Sequence, residues 1–548
     1  MDTVPQFSPT GSWRDACLRL FVFFGVAVTI VTEGLGAVHL LHRGPLIVTW
    51  LLIALVGAWS GRRSIPELKV RWPGLLDSVL VAGVAAILLL VACTAILSPP
   101  NSADAMAYHL PRVVYWAQSG SVSFSPTHYY NQIMLQPLAE YIVLYTYILL
   151  GGDRYANLVQ FAGFASSIIG VSLVAQLLRA GIRGQVIAAV FCATLPTGIL
   201  QASGTKNDCL LAAWLVAMVY FALRFAQLWQ RADLAAMGLS LSPALLTKGT
   251  AYLFAPAILL GVFLPVVWRE RARLARSVPV VALCVLCLNG PQYWRNFFFS
   301  GSVLGYDSAQ GDGLFRWRNE RLGLRPTLSN LLRNVSAHLG ARSAAWNQGV
   351  YDFVVGAHRR IGIHPNDPGT TWRWEQFQPP VNANHEASAP NRWHLLLLVA
   401  SGLPLVKFRR RCQCYYFSVV LAFILFCFYL KWMPWVTRLH LPLFVLGSPV
   451  VGLLAERLLP VLLQAALCLF LMNNARPYVF ENWTRPLTGP GAVWRTARQE
   501  NYFSDMKPWN NRATYLRAVD LLRRSGCSRV GDRHKPISVG IPVAGTAR

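Results

Sequence analysis

Two acids, Asp104 and Asp208, and two cations, Lys248 and Arg438, stand beside the ends of long apolar runs in a chain poor in charge. Asp104 opens the stretch NSADAMAYHLPRVVYW (101–116). Read as a helix, this stretch puts Asp104, Tyr108 and Arg112 at i, i+4 and i+8 on one face, and Met106, Leu110, Val113 and Ala117 on another. Such a helix would lie on a membrane and lift a carboxylate, a phenol and a guanidinium toward water, with Pro111 either kinking it or beginning a new one. Asp104 is then either the N-cap of that helix or an acid with work to do. Asp208, in SGTKNDCLLAAW (203–214), poses the same choice where a short loop enters the next apolar run. Two carboxylates facing one cleft can bind a divalent ion, Mg²⁺ or Mn²⁺, or divide general-base and positioning roles.

Lys248, in LLTKGTAYLF (245–254), and Arg438, in KWMPWVTRLHLPLFVL (431–446), are cations at run ends. Each is either an interface anchor that snorkels to headgroups or part of an anion clamp. A guanidinium forks onto phosphate oxygens and an ammonium acts as a point charge. The stretch PPVNANHEASAPNRWHLLLL (379–398) adds Glu386, Asn391 and His394. It reads either as cleft lining or as a helix entry with Asn391 capping and Trp393 at the interface.

The elements that must position these residues are membrane spans. Of 548 residues, 54% are hydrophobic and only 14% charged, whereas soluble domains run nearer a quarter charged. The apolar residues gather in runs of about 20, enough to cross about 30 Å of hydrocarbon. Spans are expected near 17–41, 46–60, 75–97, 155–178, 185–201, 209–227, 234–247, 250–268, 277–298, 393–407, 415–431, 439–455 and 458–474, about thirteen in all. This pattern excludes a disordered tail, a disulfide scaffold, a membrane β-barrel and a soluble multidomain enzyme. The first run is too long for a signal-peptide core and lacks a small-residue cleavage site, so a retained span is expected. The 11 cysteines fall mostly within apolar runs; the CxxC of Cys284 and Cys287 and the CxC of Cys412 and Cys414 lack a second pair at metal-ligand spacing.

The formal charge of +26 marks topology. Basic residues cluster between apolar runs, as in GRRSIPELKVRW (61–72), WRERARLAR (268–276) and KFRRRCQC (407–414), and no basic stripe with interleaved aromatics points to nucleic acid. If the run 135–150 lies on the membrane surface, the basic groups all fall on one side, the cytoplasm. The opposite side then receives 98–154, 202–208, the turn at Lys248 and Gly249, 299–392, 432–438 and the basic C-terminal segment 475–548. The organisation expected is an N-terminal helix pair (1–74), a core (75–298) with its first outer loop 98–154, an outer loop (299–392), further spans (393–474) and a short C-terminal segment (475–548).

An acid after an outward-going span in a DxxxYH setting, amphipathic surface helices, a second acid between two later spans, a TKG turn and an RxHLPL loop together resemble the GT-C glycosyltransferases. The likeness covers about residues 75–475 and is to the bacterial branch of protein O-mannosyltransferases and the lipid A aminoarabinose transferase. It implies an all-α polytopic protein of the bacterial inner membrane. A sugar carried on a polyprenyl phosphate would pass, with inversion, to an extracytoplasmic acceptor such as a lipid, glycan or protein hydroxyl. Under it Asp104 is the catalytic acid residue, acting as base or metal holder, and Asp208 the second acid. Arg438 and Lys248 clamp the lipid phosphate, and Tyr108, His109, Arg112 and Glu386 join the substrate site. Trp317, Trp346, Trp372 and Trp374 either stack on sugar faces or pack in the aromatic belt. The family's large soluble C-terminal domain is reduced here to 510–531, helix then strand-like. Two rival classes share the topology: a lipid or glycan transporter, which calls for ionisable residues deep within spans, and a pyrophosphate-donor polymerase or ligase.

Overall fold

The helix Asp208–Leu228 is the axis of the molecule, and every residue from Asp208 to Ala226 is buried. A helix that is apolar nearly all round is stable in a bundle core or in lipid, and this one lies in the core. Around it pack Leu158–Leu177, Arg231–Thr247, Ala251–Phe263 and Leu441–Leu458. The computed structural model describes residues 12–61, 74–127, 129–305, 317–505 and 512–526. Among these the structure is helical without a sheet; the pairings outside helices are two isolated bridges, Arg318 with Leu430 and Thr371 with Trp432.

A helix stands at each of the thirteen apolar runs. Seven are long and apolar enough to cross a membrane unaided. The run 185–201 forms two helices, Ile182–Ala193 and Pro196–Ala202, bent by 64°, where Pro196 cannot continue the upstream hydrogen-bond ladder. The protein is thus a polytopic all-α membrane protein. Two boundaries differ from expectation. The basic stretch 268–276 is not a loop: it is helical within Val267–Ser300, broken only by non-helical dihedrals at Glu270, because Arg, Ala, Leu and Glu are strong helix formers. The run 393–407 forms a helix only over Arg392–Gly402, then a tight turn at Pro404–Lys407.

The two ends of the bundle differ in chemistry. At one end Arg224 donates to Asp233 (2.8 Å), Tyr220 to Asp15 (2.8 Å), and Arg19 pairs with both acids. Arg14 there donates to Gln185 (2.9 Å), and Arg183 pairs with Asp77. Asp208 opens the axial helix at the other end, about 24 Å from Arg224 at 1.5 Å per residue. The basic stretch 62–71 and the strand-like tail 527–531 lie outside the described residues. The run 135–150 forms the helix Leu138–Leu150, about 20 Å long, packed on Leu110–Ser119 and Trp13–Ala37.

The segment between Val267–Ser300 and Arg392–Gly402 carries the helices Leu324–Ala337 and Ala344–Ile361. Arg333, fully buried, fixes it by donating to Thr371 Oγ1 (2.7 Å), Asn330 Oδ1 (2.6 Å) and the Thr370 carbonyl (3.2 Å). Trp317 and Trp372 pack on each other at 4.5 Å, while Trp346 and Trp374 are exposed.

The placement of Asp208 depends on a close helix crossing. A Cβ at Gly163 would sit 2.7 Å from the Leu210 amide nitrogen, and one turn earlier Gln160 Oε1 accepts from the Cys209 amide at 2.8 Å. Gly163→Ala is therefore expected to destabilise the protein by about 1–3 kcal/mol through overpacking. Gly57→Ala, which meets nothing within 4 Å, should leave the thermal midpoint in detergent unchanged or raise it; thermal unfolding of the two variants checks this.

Candidate active site

The loop after Leu75–Leu97 turns back over the bundle through Ser98 to Asn101 and begins a helix at Ala105. Its first turn, Ala105–His109, is a π-turn that leads directly into the α-helix Leu110–Ser119. Pro111 supplies no amide to the Ala107 carbonyl one turn back, and Gln132 Nε2 donates to that carbonyl instead at 2.8 Å. The cap is Ser102, whose Oγ accepts from the Ala105 amide at 3.2 Å. Asp104 makes no capping bond, so its carboxylate is free for other partners.

The wider π-turn also corrects the expectation that Arg112 shares the face of Asp104. Arg112 is buried and donates to Glu140 (3.3 Å) and to the carbonyls of Leu135 (2.7 Å) and Ile133. His109 Nδ1 lies 3.0 Å from the same Glu140 oxygen. The physical reason is Glu140, buried near the start of Leu138–Leu150: a buried carboxylate must be partnered, and Arg112 and His109 are its partners. Tyr108 stays beside Asp104. Burial first, and the Asp104 charge next, push its phenol well above 10, so it remains a protonated donor; Tyr129 next to it is pushed up to about 12 by the same two causes.

Asp104 meets Arg438 and Lys206 through a single oxygen. Arg438 Nη1 donates to Asp104 Oδ2, and Lys206 Nζ lies 3.8 Å from that same atom. Among the described residues no hydrogen bond reaches Oδ1, and the side chain keeps a quarter of its surface exposed. Burial raises the carboxyl's pKa, but Arg438 and then Lys206 outweigh it and hold the group well below the usual carboxylate range. Arg438 sits in the turn Val436–Leu439 before Leu441–Leu458. Burial opposes its charge, yet Asp104 and Asp208 together raise it.

Asp208 and Lys248 form the second pair, Oδ1 to Nζ at 2.5 Å, with Lys248 also donating to Asn207 Oδ1 at 2.9 Å. Asp208 stands at a helix N-terminus and Lys248 just past the C-terminus of Arg231–Thr247, so each charge complements a helix dipole. Burial lowers the ammonium's pKa more than Asp208 restores it. Glu386, fully buried, is the third acid: Lys206 Nζ is 2.6 Å from its Oε1, and Arg485 donates to its Oε2. Burial opposes its ionisation, and Arg485 followed by Lys206 drive it well below the normal range. Asp104, Asp208, Lys248, Glu386 and Arg438 thus gather in one region.

Lys206 and Arg485 escaped the sequence reading. Lys206 lies two residues before Asp208, and the adjacent acid drew the attention. Arg485 belongs to an irregular segment with no periodicity to expose it. Asn391 turns out to accept from the Thr197 amide (3.2 Å) and hydroxyl (3.1 Å), and His394 meets Thr194 at 3.1 Å; both serve helix packing.

A divalent ion fits this donor set poorly. Asp104 already faces two cations and Asp208 one, and no three His, Cys, Asp or Glu side chains gather as ligands among the described residues. The arrangement suits an anion. Arg438 Nε and Asp208 Oδ2 are buried without a hydrogen-bond partner among the described residues, and a buried group left unpaired calls for a ligand or a role.

No protein-family model matches the chain, and no curated protein sequence matches it. Among solved structures the fold is similar to that of ArnT from Cupriavidus metallidurans bound to undecaprenyl phosphate, at 18% identity and a TM-score of 0.36 over 73% of this chain and 78% of that one. It is also similar to the apo oligosaccharyltransferase of Archaeoglobus fulgidus, at 14% identity and a TM-score of 0.46 over 73% of this chain and 55% of that one. A third likeness is to the Archaeoglobus fulgidus oligosaccharyltransferase AglB with an inhibitory peptide and a dolichol phosphate, at 13% identity and a TM-score of 0.43 over 81% and 58%.

Arg112→Met separates a structural role from a substrate role. It strands the buried Glu140 with one partner, so the expected effect is a destabilisation of about 3–5 kcal/mol, read as a lower thermal midpoint and folded yield. A normal midpoint with weakened substrate use would return Arg112 to the cleft.

Proposed function

We propose that this protein is a membrane glycosyltransferase of GT-C type. It moves a sugar from a polyprenyl phosphate to a hydroxyl acceptor on the extracytoplasmic side of a bacterial inner membrane. The observation that carries the reading is the asymmetric Asp104: Oδ2 held by Arg438 and Lys206, Oδ1 uncommitted and open to the outer end of the bundle. A carboxylate fixed by one oxygen and open at the other is positioned to take a proton, while the two cations that keep it ionised also lower its basicity. The gathering of Arg14, Arg19, Arg183 and Arg224 at the far end supports an outward-facing site, since basic residues favour the cytoplasmic side.

In this reading Asp104 Oδ1 takes the proton of the acceptor hydroxyl as that oxygen attacks the anomeric carbon. The bond from that carbon to the lipid phosphate oxygen breaks, and the phosphate leaves with the electron pair. Arg438 and Lys248 stabilise the charge that develops there. Asp208 holds Lys248 at its station, and the Tyr108 phenol is a neutral donor at the rim. The donor's lipid tail lies along the apolar bundle while its phosphate meets cations at helix ends. A single displacement of this kind inverts the anomeric centre.

Purified protein incubated with a panel of polyprenyl-phosphate sugars and candidate acceptors should release free polyprenyl phosphate. Asp104→Asn is expected to lower turnover by about 10²–10⁴-fold, the usual contribution of a general base, with donor binding retained. Arg438→Ala should chiefly weaken donor use. Because its neighbours keep Asp104 ionised, the wild-type rate should show no loss from this group between about pH 5 and 8. Equal turnover by Asp104→Asn and wild type would overturn the assignment.

A further inference from the structure

We propose that the segment 482–505 is a latch that positions Asp104, acting through Arg485, Glu386 and Lys206 and through direct bonds to the residues before Asp104. The inference rests on Asp104 as the base and adds the element that sets its place.

Arg485 is fully buried with each of its nitrogens engaged: Nε donates to Ser203 Oγ (3.1 Å), Nη1 to Asn101 Oδ1 (2.8 Å), and Nη2 to the Leu200 carbonyl (3.0 Å) and to Glu386. A buried guanidinium and carboxylate cannot part without leaving an uncompensated charge, so this contact ties the segment down. The fit is close, since a Cβ at Gly204 would lie 3.2 Å from Arg485 Nη2 and 3.3 Å from Glu386 Oε2.

The same segment grips the loop that carries Asp104. Asn101 Nδ2 donates to the carbonyls of Thr484 (2.9 Å) and Asn501 (3.0 Å). The Ala103 amide, immediately before Asp104, donates to Asp505 Oδ2 at 2.7 Å, and Asp505 Oδ1 meets His385 Nε2 at 2.7 Å. A second anchor is Asp153 of the first outer loop, which accepts from Tyr502 (2.6 Å) and Arg498 (3.0 Å).

Charge passes along the same path. Arg485 neutralises one oxygen of Glu386, and the other draws Lys206 to 2.6 Å, leaving that ammonium 3.8 Å from Asp104. Glu386 therefore limits how closely Lys206 approaches the base. The groups that face Asp104 are Arg438, Lys206, His109 and Tyr108, with Tyr129 and Lys248 farther off.

Two variants of the full-length protein in nanodiscs test the latch, each followed by amide hydrogen exchange and by kcat and donor KM. Asp505→Ala removes the acceptor of the Ala103 amide without touching a fully buried charge. It should raise exchange across 101–112 at least tenfold and lower kcat at least tenfold, with donor KM within twofold of wild type. Lys206→Met removes one cation from the base. Because that ammonium lies between Glu386 and Asp104, the variant should lower kcat at least tenfold with donor KM within twofold of wild type and with exchange across 101–112 unchanged, whereas a general loss of packing would raise the exchange. Unchanged exchange in Asp505→Ala, or raised exchange with unchanged kcat, overturns the latch, as does a Lys206→Met variant whose kcat equals that of wild type. Were wild type to release no polyprenyl phosphate, the glycosyltransferase reading would fall, and the exchange result would still decide whether this segment holds the loop.

Discussion

A charge at the end of an apolar bundle has to be paired, because desolvation costs an isolated ion several kcal/mol. The end of the molecule that carries Asp104 is arranged around that constraint. Asp104, Asp208 and Glu386 each take a cation, and Lys206 is shared between Asp104 and Glu386. These pairs draw together segments far apart in the chain: the loop before Ala105, the N-terminus of the axial helix, the turn at Lys248, the outer segment around Glu386, the turn before Leu441 and the C-terminal stretch. The axial helix contributes by placing Asp208 at one end and the Tyr220 and Arg224 network at the other, so that polar chemistry is confined to the ends of an apolar rod.

Pairing also leaves chemistry available. Both cations on Asp104 reach the same oxygen, and Arg438 keeps an unpaired Nε. A site in which every lone pair and donor were satisfied would be inert. Here Asp104 Oδ1, Asp208 Oδ2 and Arg438 Nε have no hydrogen-bond partner among the described residues, and the proposed reaction uses the first to accept a proton. Asp104 and Asp208 stand at the starts of helices and Glu386 in an irregular segment, where a transporter reading would want acids within the spans.

The apolar runs and the acids and cations at their ends were legible because hydrophobic length and the cost of burying charge are local properties. Asp104, Asp208, Lys248 and Arg438 each announce themselves as charges flanking a span. Arg112 was misplaced because a 3.6-residue period was assumed where Pro111 and Gln132 sustain a π-turn, and because Glu140 looked like an interruption in an apolar run rather than a buried anchor for it. Arg485 was beyond reach: its partners Glu386 and Asn101 are 99 and 384 positions away, and irregular segments carry no periodicity that reports what they touch. The stretch 482–505 is bonded to the loop that bears Asp104.

The central claim is a single displacement in which one carboxylate serves as base and none as nucleophile. Its most direct test is the anomeric configuration of the first product, followed by NMR with the active donor. The account predicts complete inversion. Retention would contradict it, since it requires a covalent glycosyl intermediate on a carboxylate, and Asp104, Asp208 and Glu386 would then have to be assigned anew.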